Sequence, residues 1–157
     1  MKNQDLFNRT IGILVKAYQN DTLVHSDPCG CAVGNLVAAN MGLNISINHE
    51  TGRATTNGGR RANSSWYDII DCSFGSPEID MLNASKATLR QIYSTGYTAI
   101  QIGAIEYAFE HYMGRGFEID KDGYLGLMNV VDTLMTIHEA TDTEAEEAKQ
   151  MFVKVTA

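Results

Sequence analysis

The chain has 157 residues, of which 44% are hydrophobic and 20% are charged, and its formal net charge is −7. A chain of this length buries enough surface to fold without disulfides or metals, so we expect residues 1–157 to form one domain. The negative charge argues against a general nucleic-acid binder and against a protein that binds anionic membranes, because both of those surfaces attract positive charge.

The predicted cellular location depends on features that are rare or missing in the sequence. There are three cysteines, an odd and small number, which is typical of a reducing compartment. No stretch reaches the roughly 18 apolar residues that a membrane span requires. Residues 1–5 lead into a mixed polar and apolar segment, unlike a secretory signal. We therefore expect a cytoplasmic protein that does not enter the membrane.

Apolar residues recur at helical spacing over much of the chain and predict about six helices. The first is expected over residues 5–19. The second is expected to begin at Asp27, which can cap it, with Pro28 in its first turn. The third is expected to begin at Ser76-Pro77-Glu78 and to end at Gly96.

Three more helices are predicted in the second half of the chain. Capping-box patterns mark the starts of two of them, at Thr98 and at Thr141. Between these, a helix is expected after Gly123 and up to about residue 139. Residues 43–66 are polar and irregular, and we expect one long loop, with a small hairpin as an option because Asn57-Gly58 is a strong turn signal. The predicted fold class is mainly α, a compact helical bundle with one long polar loop.

The polar loop contains three arginines, Arg53, Arg60 and Arg61, and ends at Trp66, which is followed by Tyr67. Guanidinium groups bind phosphate oxygens bidentately, glycine N–H groups can cradle anions, and aromatic rings stack on bases. No named phosphate-binding motif is present, and the alternative is a solvated loop whose arginines keep the protein soluble. The leading hypothesis is a non-enzymatic binding protein, without a cofactor, for a small anionic ligand such as a nucleotide-derived signal.

A second cluster contains His25, Cys29 and Cys31, and three interpretations of it are open. With Cys72, these residues provide a Cys₃His set for zinc. Alternatively, a thiol at a helix N-terminus has a lowered pKa and can act as the nucleophile of an enzyme. The third interpretation is structural: the cysteines are small buried residues, and Gly34 lets a neighbouring segment approach the helix closely. The structural interpretation is favoured.

Residues 118–124 lie between two predicted helices and resemble the start of a calcium-binding EF-hand loop. Glu118, Asp120 and Asp122 occupy the first three side-chain ligand positions. The last ligand position falls on Asn129, where a bidentate glutamate is needed. An acidic linker between helices is therefore the favoured interpretation.

Two blocks of the sequence are similar to a pattern in small uncharacterised proteins of gut-bacterial phages and mobile elements. The first block covers residues 17–36 and includes His25 and the run Cys31-Ala32-Val33-Gly34-Asn35-Leu36. The second contains Thr95-Gly96-Tyr97 and Ile105-Glu106-Tyr107-Ala108-Phe109-Glu110. The resemblance implies no activity and no site residues. It suggests a protein of the host cytoplasm that sequesters nucleotide signals of bacterial immunity, and a structural or assembly role as a homo-oligomer is the alternative.

Overall fold

The fold is mainly α, as the sequence predicted. The structure, a computed structural model, describes residues 1–71, 77–111 and 120–155. Six α-helices lie in these residues: α1 (Gln4–Gln19), α2 (Ala32–Asn40), α3 (Lys86–Ser94), α4 (Ala99–Glu110), α5 (Tyr124–His138) and α6 (Asp142–Gln150). None of the helices in this part of the chain has the length and apolar character needed to cross a membrane.

Two short antiparallel ladders connect the helices. In the first, β1 (Ile45–Ile47) pairs with β2 (Ala54–Thr56), and in the second, β3 (Ile70–Asp71) pairs with β4 (Glu78–Ile79). The first ladder is the small hairpin that the sequence offered as an option. Its turn is formed by residues 48–53, whereas Asn57-Gly58 forms a separate turn that closes the bridge between Thr56 and Arg60.

The core lies between the helices, and α4 is packed closely against α5 in it. Gly126 of α5 permits this approach, because a Cβ atom there would lie 2.6 Å from the carbonyl oxygen of Phe109. Phe109, Leu127 and Leu134 are fully buried. The last turns of α4 are therefore held between the core and the segment that joins α1 to α2.

The start of α2 differs from the prediction. The helix begins at Ala32, and Cys31 is its N-cap, with its Sγ accepting a hydrogen bond from the N–H of Gly34 (3.3 Å). Asp27 does not cap this helix, because its carboxylate is bonded to Arg61 instead. A tertiary ion pair has thus replaced the local cap that the sequence suggested.

The start of α3 was also predicted too early. The helix begins at Lys86 with Ser85 as its cap, whereas residues 78–79 form β4. Leu82, which lies within the predicted helix, is 98% exposed. Pairing of β4 with β3 keeps this segment extended, and Ser76 lies outside the described residues.

Candidate functional site

The segment between α1 and α2 folds back over the end of α4, and we call residues 25–31 the 25–31 loop. Its anchor is His25, which donates from Nδ1 to Oε2 of Glu110 (3.1 Å) and from Nε2 to Oδ2 of Asp120 (2.7 Å). The N–H of Ser26 adds a hydrogen bond to Oε1 of Glu110 (2.9 Å). Because Glu110 ends α4 and Asp120 precedes α5, His25 joins the loop to both helices.

His25 is positively charged at neutral pH, although its side chain is only 5% exposed. Burial alone would lower the pKa of His25, but the hydrogen bonds to Asp120 and Glu110 outweigh burial and raise this pKa to about 9. Burial likewise opposes ionisation of Asp120, but hydrogen bonds from His25 and from the N–H groups of Leu125 and Gly126 lower its pKa. Both ring nitrogens of His25 therefore donate, and neither has a lone pair that can accept a proton.

Asp27 is the buried carboxylate of the same loop. Its Oδ1 accepts hydrogen bonds from Nη2 of Arg61 (2.6 Å) and from the N–H of Cys29 (3.1 Å), and its Oδ2 accepts from the N–H of Ala54 (2.8 Å). Burial alone would raise the pKa of Asp27, but these bonds outweigh it and lower the pKa. Arg61 also donates from Nη1 to the carbonyl oxygen of Ala54 (2.7 Å). The ion pair thus joins the 25–31 loop to the hairpin.

Neighbouring side chains donate hydrogen bonds to backbone carbonyl oxygens in and next to the 25–31 loop. Asn63 donates from Nδ2 to the carbonyl oxygens of Cys29 (2.8 Å) and Gly34 (2.9 Å), and Trp66 donates from Nε1 to that of Pro28 (3.0 Å). A Cβ atom at Gly34 would lie 2.4 Å from the carbonyl oxygen of Pro28. This contact confirms the expectation that Gly34 lets a neighbouring segment approach α2 closely.

A cavity of about 220 Å³ lies where the 25–31 loop meets α4. We call it the acidic cavity, and it is lined by Ser26, Asp27, Pro28, Tyr67, Glu106, Glu110 and His111. These described residues contain three carboxyl groups, two of which are already paired, that of Asp27 with Arg61 and that of Glu110 with His25. The third carboxyl group, that of Glu106, is different.

Glu106 lies one helical turn before Glu110, on the face of α4 that meets the 25–31 loop. It is only 5% exposed, and within the described part of the chain its Oε2 has no hydrogen-bond partner. Burial, reinforced by the negative charge of Glu110, raises the pKa of Glu106 to about 8, against smaller opposing effects of Cys31 and His25. This carboxyl group is therefore mostly protonated at neutral pH.

Glu106 was not among the site residues predicted from the sequence, although the sequence contains a signal for it. The apolar stripe of α4 consists of Ile102, Ile105 and Phe109, all three of which are fully buried. Position 106 lies within this stripe, because residues three and four apart share one helix face. A carboxyl group on the buried face of a helix marks a position that packing alone does not explain.

The structure does not bring the five predicted ligand-binding residues together. Arg61 is bonded to Asp27, and Trp66 is fully buried with its indole N–H bonded to the loop. Arg53 and Arg60 are exposed on and beside the hairpin. Of the five, Tyr67 alone lines the acidic cavity, and it is 39% exposed.

The two described cysteines are free thiols and fully buried. Burial raises the pKa of Cys29, and burial together with the charge of Glu106 raises the pKa of Cys31 well above its usual value. A nucleophilic cysteine requires a lowered pKa, so neither thiol is suited to that role. Their packing beside α2 agrees with the structural interpretation.

In residues 1–71, 77–111 and 120–155, no group of three or more His, Cys, Asp or Glu side chains is arranged to hold a metal ion. In the predicted zinc set, His25 is bonded to two carboxylates, and Cys72 lies outside the described residues. In the partial EF-hand pattern, Glu118 also lies outside them. Asp120 accepts hydrogen bonds from His25 and from N–H groups at the start of α5.

Comparisons of the chain with protein-family models, with curated proteins and with solved structures gave no match in any of the three cases.

Proposed function

We propose that this protein binds a small organic cation in the acidic cavity and does not convert it chemically. The observation that supports this proposal is the Oε2 of Glu106, a buried atom with no hydrogen-bond partner among the described residues, in a side chain that lines the cavity. Buried polar atoms in folded proteins are nearly always hydrogen bonded. An unpaired carboxyl oxygen in a residue that lines a cavity therefore favours a ligand that supplies the missing donor.

The charge balance among the described residues around the cavity favours a cation. Asp27 and Arg61 neutralise each other. The imidazolium of His25 is shared by Glu110 and Asp120, which leaves one negative charge on that group of three. An ionised Glu106 adds a second negative charge, so an anion entering the cavity would be repelled and a cation attracted.

The aromatic side of the cavity suits the same class of ligand. Tyr67 is 39% exposed and lines the cavity. Its ring packs edge-on against Trp66, with ring centroids 5.4 Å apart, so a rigid buried side chain supports it. Cations bind the faces of aromatic rings, and this interaction strengthens when water is excluded. The volume of about 220 Å³ suits an ammonium or guanidinium group with a short carbon chain.

A binding role is favoured over catalysis by the state of the reactive groups. The thiols of Cys29 and Cys31 have raised pKa values, and both ring nitrogens of His25 are used as donors. A nucleophile needs an ionised thiol or an adjacent base with a free lone pair. These three residues provide neither, so the enzyme centred on them is the weaker proposal.

Isothermal titration calorimetry with a matched panel of probes tests the proposed function. The panel consists of n-butylammonium and n-butylguanidinium as cations, with n-butanoate and n-butyl phosphate as anions of the same chain length. We expect only the cations to bind, and we expect the Arg53→Ala/Arg60→Ala variant to bind them unchanged. Binding of n-butyl phosphate that is lost in this variant would instead support the anionic ligand predicted from the sequence. If neither cation binds, the proposed function is wrong.

A role in self-assembly is the second candidate function. A groove of about 640 Å³ between residues 79 and 100 has a mainly apolar lining, and Tyr93 (62% exposed) and Ile100 (73% exposed) lie in it. Exposed apolar patches often mark interaction surfaces, and the occupant we test is a second copy of this chain. Light scattering of the wild type and of Ile100→Lys decides the matter, since a monomeric wild type rules self-assembly out.

A further inference from the structure

Glu106 is surrounded by groups that cannot neutralise it. Among the described residues, Cys31 contributes a protonated thiol, Glu110 contributes a like charge one turn away, and the positive charge of His25 is shared by two other carboxylates. Of the other ionisable side chains at the cavity, Asp27 is bonded to Arg61, and His111 is exposed at the end of α4. Within the described part of the chain, no cationic side chain therefore forms an ion pair with Glu106.

An uncompensated charge is not stable in such a place. Removing an ionised carboxylate from water without a partner is so unfavourable that the group takes up a proton instead. The raised pKa of Glu106, about 8, agrees with this expectation. Glu106 is thus a neutral acid at neutral pH, and a cationic ligand needs the ionised form.

We propose that Glu106 selects ligands with an N–H-bearing cationic group, a primary ammonium or a guanidinium, and that each bound ligand displaces one proton from its carboxyl group. This inference rests on the proposed function. In the exchange, the O–H bond of the carboxyl group breaks and the proton goes to the solvent buffer. The carboxylate then accepts a hydrogen bond from the N–H of the ligand, and no other bond is made or broken.

The requirement for an N–H group follows from the geometry of the unpaired atom. Among the described residues, Oε2 of Glu106 has no hydrogen-bond donor, and charge-assisted N–H···O bonds are about twice as strong as neutral ones. A quaternary ammonium ion has the same charge but no donor, so it would leave Oε2 unpaired. Glu106 should therefore distinguish two cations of equal charge, which Tyr67 alone would not do.

Proton release is measured by titrating the full chain with n-butylguanidinium in phosphate and in ACES, two buffers with different enthalpies of ionisation. At about pH 6.5 we expect the observed enthalpies to differ by the buffer difference for about one proton per ligand. We also expect the affinity to rise about tenfold per pH unit up to about pH 8 and to level off above it. Tetramethylammonium should bind at least tenfold more weakly than n-butylammonium.

Glu106→Gln is the matched variant, because it keeps the shape of the side chain and removes the exchangeable proton. Its enthalpy should not depend on the buffer, its affinity for n-butylguanidinium should be at least tenfold lower at about pH 8, and its preference over tetramethylammonium should shrink. Glu106→Asp, which keeps the acid, should still release a proton. If the wild type binds the cations without proton release, or if the glutamine variant behaves like it, the inference fails while the proposed function stands. If no cation binds to any form, the proposed function fails first.

Discussion

The acidic cavity is lined by two glutamates of the same helix, and their carboxyl groups are used in opposite ways. Glu110 accepts hydrogen bonds from His25 and from the N–H of Ser26. One turn earlier, Glu106 is more deeply buried, and its Oε2 has no partner in the described part of the chain. Burial alone therefore does not define the role of a carboxyl group. Glu110 joins α4 to the 25–31 loop, whereas Glu106 is the group that we propose pairs with a ligand.

The largest effect is expected when the pairing of Glu110 with His25 is removed. His25→Ala leaves the carboxylates of Glu110 and Asp120 buried without their shared cation, so the free energy of unfolding should fall by about 3–5 kcal/mol. Urea denaturation at about neutral pH measures the loss. His111→Ala is the control, since this exposed histidine at the same cavity should change stability by less than about 0.5 kcal/mol. Similar effects of the two substitutions would contradict the anchoring role of His25.

The unpaired carboxyl group of Glu106 should be detectable in the pH dependence of stability. The pKa of Glu106 is raised from 4.5 to about 8 in the folded state, so the folded protein binds more protons than the unfolded chain between these values. Stability should therefore fall as the pH rises from about 4.5 to about 8. His25, whose pKa is raised from 6.5 to about 9, adds a further loss between about pH 6.5 and 9.

Glu106→Gln separates the two contributions. The variant should keep the loss of stability due to His25 and lack the loss due to the carboxyl group of Glu106. Relative to the wild type, its free energy of unfolding should therefore increase by on the order of 3 kcal/mol between about pH 5 and pH 9. Chemical denaturation across this range gives the two curves. Parallel curves would mean that the carboxyl group of Glu106 ionises normally in the folded protein.

The stability of the 25–31 loop should be sensitive to a substitution at its closest contact with α2. Gly34→Ala would place a Cβ atom within 2.4–2.6 Å of backbone atoms of Pro28 and Cys29, and it should lower the free energy of unfolding by about 2–3 kcal/mol. Gly12→Ala in α1 is a matched control, because a Cβ atom there meets nothing within 4 Å. The control should be stabilised by up to about 1 kcal/mol, as thermal or urea unfolding would show. Equal behaviour of both variants would refute the close packing.

The smallest effect is expected when substitutions of two adjacent arginines are compared. Arg61→Ala removes the partner of the buried Asp27 and should reduce stability by about 2 kcal/mol, less than a full ion-pair loss because two backbone N–H groups still bond to the carboxylate. Arg60→Ala should change stability by less than about 0.5 kcal/mol, since Arg60 is exposed. Equal losses in urea denaturation would show that the ion pair does not hold the hairpin to the loop.

The sequence predicted those parts of the fold that are determined locally. The capping boxes at Thr98 and Thr141 are both present, and the helices they begin, α4 and α6, start one residue later. A capping box involves side chains only three residues apart, so its signal lies within one short window of sequence. The start of α2 could not be predicted in this way, because Asp27 is bonded to Arg61, which is 34 residues away in sequence.

The candidate site was less predictable for the same reason. The cluster at His25 was noticed, but its carboxylate partners Glu110 and Asp120 are 85 and 95 residues away. The three arginines looked alike in the sequence, and the fold pairs one of them with a buried acid while two stay exposed. A single sequence indicates which residue types are available. Their pairing is decided when the chain folds.

The position of Trp66 has an optical consequence. It is the only tryptophan in the chain, its indole is fully shielded from water, and its N–H is bonded to the carbonyl oxygen of Pro28, which itself lines the acidic cavity. Its fluorescence therefore comes from one known place, beneath the loop that forms one side of the cavity. The emission should lie at short wavelength in the folded protein and change when the cavity fills, which provides a built-in, label-free optical reporter of binding.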